Sequence, residues 1–542
     1  MTKAVEMSTS FFFLLKALFL KKFHRTAAVH RKYQKHPSPV AKLPNGERND
    51  GEKTLIFNVE EALLKSSHPF FSYFMLVAFE GGGLLRAMVF FMSYPLVRLV
   101  GPEMGLKIMV MISFCGLKKE SFRVGSSVLP KFFLNDVGLE AFEAVKRGGK
   151  RKRVVGFTNF FPKVMIESFL RDYLEVEEIV GRELKVFGGY FVGLMEEKVK
   201  LSSLSNLVHN YEHEQEEEEE EDQEAKKFER NNGNLIIGIC GSPKGYDFQL
   251  LSSICNEIYM VNEAEKKRWK RLPSDKFPKP LIFHDGRLAL NPTPFDTLAL
   301  LMWLPFALIL AVFRAFVSLF IPYRLCIPLN AFSGMRLTLS IPSSHATKSN
   351  DHGLLYVCNH RTLLDPLYIS AALRINNPFA VTYSLSRISE FFSPIQTVRL
   401  TRNRDRDAEV MTELLSKGNL IVCPEGTTCR EPYLLRFSPL FSEVGAKIVP
   451  VANDTHVSMF HGTTASGFKC FDSLFFIMNP SPAYTIKMLD LVAPLSKTST
   501  RFDVANHVQS EIAKALEFEC TKFTRRDKYL ILAGNEGIVH SK

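Results

Sequence analysis

Residues 297–322 read TLALLMWLPFALILAVFRAFVSLFIP, and this stretch constrains the fold more than any other. A run so long and so apolar crosses the hydrocarbon core of a bilayer, dips into one leaflet, or forms the buried helix of a large domain. Pro305 predicts a kink within it. Arg314, toward its far end, is placed to snorkel to the membrane interface. The sequence on either side carries the punctuation of α/β domains, so the segment divides the chain into two globular parts. The mean hydropathy of +0.00 is high for a soluble protein and low for a polytopic one. Soluble-like domains joined to membrane-associated segments fit that value.

At 542 residues the chain is too long for one ordinary domain. Residues 1–50 form a basic segment with an apolar core, FFFLLKALFLKKF, interrupted by Lys16 and free of acidic residues between Glu6 and Glu47. It suits a membrane-surface helix, an organelle-targeting segment or a disordered basic tail. Residues 51–260 alternate β-rich runs such as TLIFNVE and KRVVGFTNFF with helix-like stretches, and predict a first α/β domain. Its insert at about 69–116 is strongly apolar yet carries Glu80, Arg86 and Arg98, so it reads as a span or as paired helices packed on the domain. The run EHEQEEEEEEDQE, 212–224, repels itself and predicts a disordered insertion. Residues 261–325 read as a polar, proline-containing linker followed by the membrane helix 297–322. Residues 326–525 alternate strand and helix signals again and predict a second α/β domain with a mainly parallel sheet. A tail, 526–542, follows.

The formal net charge of +11 suits anionic membranes or phosphorylated substrates. No nucleic-acid-binding module or basic, aromatic-interleaved motif accompanies it, which argues against a nucleic-acid partner. The nine cysteines are scattered, with no CxxC pair, so a reduced chain without a metal site is expected.

The chemistry gathers in the second half. In YVCNHRTLLDPLYIS, 356–370, an apolar strand runs into a turn that holds His360 and then Asp365, the latter in the form of an N-cap before Pro366. Across such a turn His360 folds back onto Asp365, and a carboxylate fixes the imidazole tautomer and raises its basicity. No serine or cysteine nucleophile is obvious beside the pair, so the base would act directly on a substrate hydroxyl. Taken alone, the pair is more simply read as a capping aspartate and a surface histidine. Downstream, Arg399, Arg402, Arg404 and Arg406 crowd one segment and suit bidentate phosphate binding, although Asp405, Asp407 and Glu409 interleave as on a solvated surface. Then NLIVCPEGTT, 419–428, runs a buried strand into Glu425, Gly426 and Thr427, where freed backbone N–H groups can hold an anion. Glu425 could hold a substrate hydroxyl or anchor an arginine; an ordinary strand-to-helix turn looks the same.

The order NHRTLLDP, VRLTR with Ala408 beyond it, PEGTT, and IVPVAND around Pro450 resembles the four motif blocks of the glycerolipid acyltransferase superfamily. The longer matches NHRTLLDPLY, VRLTRNRDRDA and CPEGTTCREPYLLRFSPLF resemble the land-plant glycerol-3-phosphate acyltransferases over nearly the whole chain after about residue 50. The resemblance implies two α/β domains with membrane-associated helices: a haloacid-dehalogenase-like domain and an acyltransferase domain. It implies acyl-CoA and glycerol 3-phosphate as substrates, attachment to the bilayer, and no metal or other cofactor. By this resemblance His360 is the base, Asp365 its orienter, and Arg402, Glu425 and Gly426, with Arg399 and Thr427, hold the glycerol phosphate. Some family members acylate the sn-2 hydroxyl and then remove the phosphate. Here the phosphatase pattern is broken. Asn58 stands at the nucleophile position, Glu60 at the second acid, and Gly241 replaces an aspartate, leaving Asp247; Thr158 is compatible with the second motif. A carboxamide is a very poor nucleophile for forming a phosphoryl-enzyme. The expectation is a lysophosphatidic acid-forming acyltransferase with a silent phosphatase domain. The alternatives are a lysophosphatidic acid acyltransferase, a lipid phosphatase and a non-catalytic scaffold. The family default is the endoplasmic reticulum, and the acid-poor N-terminus keeps a mitochondrial membrane open.

Overall fold

The structure is a computed structural model that describes residues 53–66, 70–146, 152–200, 204, 235–242, 245–277, 283–342, 353–375, 377–383, 390, 393–466, 469–492 and 500–537. The basic segment 1–50 and the acidic run 212–224 lie outside them.

The first domain is wound around β1 (Lys53–Asn58), β2 (Lys152–Pro162) and β3 (Glu178–Arg182). An antiparallel hairpin, β4 (Leu184–Phe187) with β5 (Tyr190–Met195), stands apart from the sheet. Then β6 (Leu235–Cys240) and β7 (Glu257–Met260) complete a parallel sheet in the order β3-β2-β1-β6-β7. Its central strands are covered on both faces, which is why IFN and IIGIC read as continuous apolar runs. Asn58, Thr158, Gly241 and Asp247 all fall at the carboxyl edge of this sheet, where doubly wound folds place their sites.

The second domain contains β8 (Arg336–Ser340), β9 (Leu355–Cys358), β10 (Pro378–Thr382), β11 (Gln396–Arg399) and β12 (Asn419–Val422). A short β13 (Tyr433–Leu434) pairs with a late β16 (Glu519–Cys520), while β14 (Ile448–His456) and β15 (Ala483–Met488) extend the main sheet. The order is β11-β10-β12-β9-β14-β15-β8, with β15 antiparallel to β14 and the other pairings parallel. The strands LYVC and NLIV are buried at every residue.

The long apolar helix runs Pro294–Phe320, unbroken past Pro305. Proline there removes one N–H, and the buried Trp303 and Ala307 on either side hold the turn in place. Leu300, Trp303, Ala307, Ala311, Arg314 and Val317 recur at helical spacing as a buried stripe. Arg314 does not snorkel. Its side chain is 0% exposed. It donates to the carbonyls of Ile477 (2.6 Å), Asn479 (2.6 Å), Pro480 (3.2 Å) and Ser333 (2.6 Å), and to the Ser333 hydroxyl (2.9 Å). A charge that finds five acceptors on its own protein has no reason to reach for water. The other face of the helix presents Met302, Phe306, Ile309, Val312, Phe316 and Phe320 outward.

The segment expected as a linker is a packed strut. Asp285 accepts hydrogen bonds from Ala465 N and from Ser466 N and Oγ, and Phe283 is buried with Cys429, Tyr433 and Leu532. The two domains share one hydrophobic core, from Leu55 through Trp303 to Met478. Lys131 meets Glu431 across them at 3.1 Å. Residues 526–537, expected as a tail, also belong to the fold. The helix Arg525–Ala533 opens on a Thr524–Asp527 capping box and buries Tyr529 and Leu532.

Candidate active site

The site lies at the carboxyl edge of the second sheet, where β9 and β12 run side by side in register. His360 follows β9 and Glu425 follows β12, so two distant sequence blocks meet across one strand spacing. The His360 Nδ1 is 2.9 Å from Asp365 Oδ2. Asp365 begins the helix Asp365–Leu373, and the residue before it, Leu364, offers no side-chain cap. The carboxylate turns back instead onto the preceding turn. It accepts from Arg361 N (2.5 Å), Thr362 N (2.9 Å), Thr362 Oγ1 (3.1 Å) and the Tyr484 hydroxyl (3.1 Å). This many donors fix the buried carboxylate in place. Burial alone would pull the His360 imidazolium down, but Cys423 and Asp365 outweigh it and hold it well above the ordinary histidine range.

Glu425 is engaged by backbone. Its Oε1 accepts His360 N at 2.7 Å and its Oε2 accepts Leu435 N at 3.0 Å, so both oxygens are occupied by backbone. Burial pushes its carboxyl up to about 7. Glu425 therefore shapes the loop that carries His360. Gly426 has φ +67°, the left-handed region that glycine enters without strain, and a Cβ there would meet Arg525 Cδ at 3.9 Å. The buried Thr427 hydroxyl faces Lys528 Nζ at 3.5 Å.

The arginine patch divides. Arg399 is tied to Glu390 at 2.7 Å. Arg404 pairs with Glu443 at 2.9 Å. Arg402 sits at φ +69° just beyond β11, in a turn held by Asp407, which accepts Thr401 N (2.7 Å) and Arg402 N (2.9 Å). Its exposed guanidinium has no hydrogen-bond or ion-pair partner among the described residues. A non-glycine residue in that backbone region is sparsely populated, and it persists here because Asp407 over-determines the turn.

Sequence reasoning missed several participants. Tyr484 is far from Asp365 along the chain, and no local pattern announces it; stacking on Tyr368 at 4.2 Å between centroids orients its ring. Asn359 locks the first block to the fourth by exchanging hydrogen bonds with the Asn453 backbone, both at 2.8 Å. A cysteine does lie beside the base after all. The Cys423 sulfur contacts His360 and is 3.4 Å from Cys358 Sγ. Contact with Cys358 and burial push its thiol well above the ordinary value. That residue was visible in the motif CPEGTT.

At the corresponding edge of the first domain the positions of the phosphatase pattern are bonded to one another and to backbone. The Asn58 side chain accepts from Glu61 N at 2.7 Å and donates to Asp247 Oδ2 at 2.8 Å. Asn159 donates to the other Asp247 oxygen at 2.5 Å. Glu60 Oε1 accepts from the Thr158 hydroxyl and from Phe160 N and Phe161 N, both at 3.0 Å. Gly241 N donates to Glu61 at 2.8 Å. Magnesium needs free carboxylate oxygens. Asn58 and Gly241 stand where the phosphatase pattern has carboxylates, and the Asp247 oxygens accept amide protons, so the residues present do not fit the ion that the phosphatase fold would use.

Two families match the chain: the HAD-like domain of the RAM2-like glycerol-3-phosphate acyltransferases over residues 54–261, and Acyltransferase over residues 341–454. Among curated relatives, the probable glycerol-3-phosphate acyltransferase 2 of Arabidopsis thaliana is 54% identical over 98% of this chain and 98% of its own. Glycerol-3-phosphate acyltransferase 1 of the same plant is 47% identical over 88% of this chain and 79% of its own. Glycerol-3-phosphate acyltransferase RAM2 of Petunia hybrida is 38% identical over 87% and 95%. Of solved structures, the 1-acyl-sn-glycerophosphate acyltransferase PlsC of Thermotoga maritima overlaps with a TM-score of 0.27 at 16% identity, covering 41% of this chain and 92% of that one. A substrate-bound phosphoserine phosphatase overlaps with a TM-score of 0.24 at 13% identity, covering 40% and 91%. The chain belongs to the land-plant glycerol-3-phosphate acyltransferase family, as an acyltransferase joined to a haloacid-dehalogenase-like domain.

Proposed function

We propose that this protein transfers a fatty acyl group from acyl-CoA to the sn-2 hydroxyl of glycerol 3-phosphate and releases lysophosphatidic acid with its phosphate intact. The observation that carries the reading is the His360–Asp365 contact of 2.9 Å at the strand edge. Asp365 holds the Nδ1 proton, leaving Nε2 to take the proton of the acceptor hydroxyl. The oxygen then attacks the thioester carbonyl directly, the C–S bond breaks, and the proton leaves with the CoA thiolate. Arg402 supplies an unpaired cation for the acceptor phosphate. The closed Asn58–Asp247–Asn159 cluster supports retention of that phosphate.

Two helices, Phe71–Leu99 and Pro294–Phe320, are long and apolar enough to cross a membrane. Each has one face against the protein and one apolar face outward; Leu85, Met92, Leu96 and Leu99 line the first. The outward faces together suit insertion into one leaflet, with the site at the bilayer surface beside its acyl donor. The endoplasmic reticulum is the compartment we favour, by resemblance.

Microsomes bearing wild type, His360→Ala or Asn58→Asp, given labelled glycerol 3-phosphate and acyl-CoA, test the reading. Lysophosphatidic acid from wild type, lost in His360→Ala, with no monoacylglycerol from Asn58→Asp, is expected. Monoacylglycerol formed directly by wild type would overturn the silent phosphatase, and full activity in His360→Ala would overturn the base. Separating the 1-acyl and 2-acyl isomers checks the regiochemistry.

A further inference from the structure

The helix Arg525–Ala533 lies beyond both matched domains, yet it closes over the Pro424–Thr428 turn. Lys528 anchors it there. This lysine is buried, and its ammonium donates to the Thr428 carbonyl and lies 3.5 Å from Thr427 Oγ1. Arg525, at the first helical position, is different. Its guanidinium rests over the Tyr529 ring at 4.8 Å and donates to the Gly537 carbonyl. No carboxylate pairs with it among the described residues. Its Cδ lies 3.9 Å from where a Cβ on Gly426 would be, so the arginine side chain borders the turn. Burial disfavours its charge, and so does Arg402. Arg525 thus stands at the Gly426 turn, and the adjacent residue, Glu425, accepts a hydrogen bond from His360 N at 2.7 Å.

Arg525 at the turn that adjoins His360, and Arg402 near enough for its charge to act on Arg525, have no ion-pair partner among the described residues, and such a pair of cations suits a dianion. We propose that Arg525 is a second phosphate-binding residue, which closes with Arg402 on the phosphate of the acceptor and sets its hydroxyl at His360. The inference rests on the acyltransferase reading above. It extends the site to an element outside the four motif blocks. Stacking on Tyr529 pre-orients the guanidinium, so little side-chain freedom is lost when phosphate binds.

The test uses the full chain in microsomes: wild type, Arg525→Ala, Arg525→Lys, and Arg526→Ala as a neighbour whose side chain pairs with Glu536 on the surface. Initial rates are measured against glycerol 3-phosphate at saturating acyl-CoA, and the reverse. Losing one charge-assisted phosphate contact raises KM for glycerol 3-phosphate about tenfold to hundredfold in Arg525→Ala. Lysine recovers part of that loss, KM for acyl-CoA stays within about twofold, and Arg526→Ala behaves as wild type. A fall in kcat with KM for glycerol 3-phosphate unchanged, or an equal rise in both KM values, would make Arg525 a structural strut and overturn the proposal. No lysophosphatidic acid from wild type would instead overturn the reading on which it rests.

Discussion

Replacing Arg314 by methionine separates two accounts of the long helix by the sign of the effect. In a bilayer-spanning helix, an arginine costs up to about 2.5–3.5 kcal/mol on insertion and less toward the ends, so its removal strengthens the membrane-embedded state. In the packed helix seen here, the guanidinium serves four carbonyls and a hydroxyl at 2.6–3.2 Å. Each carbonyl stripped of its donor costs about 1–3 kcal/mol. Relief of the buried charge's own desolvation and the burial of the methionine side chain offset part of that sum. A net loss of about 3 kcal/mol is expected. At about 2–4 °C per kcal/mol for domains of this size, Tm falls by about 6–12 °C. The assay is thermal unfolding of the detergent-solubilised full chain, read by intrinsic fluorescence and by residual acyltransferase activity. An unchanged or raised Tm would refute the reasoning, all the more if tags at the two ends of the helix label from opposite sides of the membrane.

Three further outcomes are expected. His360 works as a base only when neutral, and its imidazolium is held high, so kcat should climb with pH through a limb above the ordinary histidine range. Asp365→Asn should move that limb to lower pH and cut the plateau by about a hundredfold or more; an unmoved limb counts against the pair. Tyr484→Phe removes one donor to the Asp365 carboxylate and should lower kcat about tenfold with KM values unchanged, and a KM effect would mean that Tyr484 touches substrate. Glu60 concerns stability: burial, resisted by its hydrogen bonds, raises its carboxyl from 4.5 to about 7. A raised carboxyl binds more protons folded than unfolded, so its contribution is present below about pH 4.5 and lost as pH rises through about 7. The Tm of Glu60→Gln relative to wild type should therefore rise between about pH 5 and about pH 8, and a flat difference would show that Glu60 is not buried as described.

Both sheets were legible because a parallel strand buried on two faces must be apolar throughout, and helical stretches between such strands leave few topologies. The His360–Asp365 contact was legible for a different reason: five residues across a turn can hardly separate far. The broken phosphatase pattern followed from residue identity, since a carboxamide at position 58 lacks the nucleophilic oxygen whatever surrounds it.

Everything that depends on contacts between distant segments had to wait for tertiary structure. Arg314 reads as a snorkelling charge until the chain near Ile477–Pro480 supplies its acceptors. Glu425 shows no partner in the linear sequence, and only the fold reveals that its two oxygens hold the backbone of His360 and Leu435. The four clustered arginines are alike in sequence, and only the fold ties Arg399 and Arg404 to glutamates while leaving Arg402 exposed. The last turns of the chain read as a polar tail until they close over the Gly426 turn. The sequence by itself determined which chemical groups exist and which local turns present them. Burial and pairing, which decide whether a charged group binds substrate or holds the protein together, are properties of neighbours that the linear order does not name.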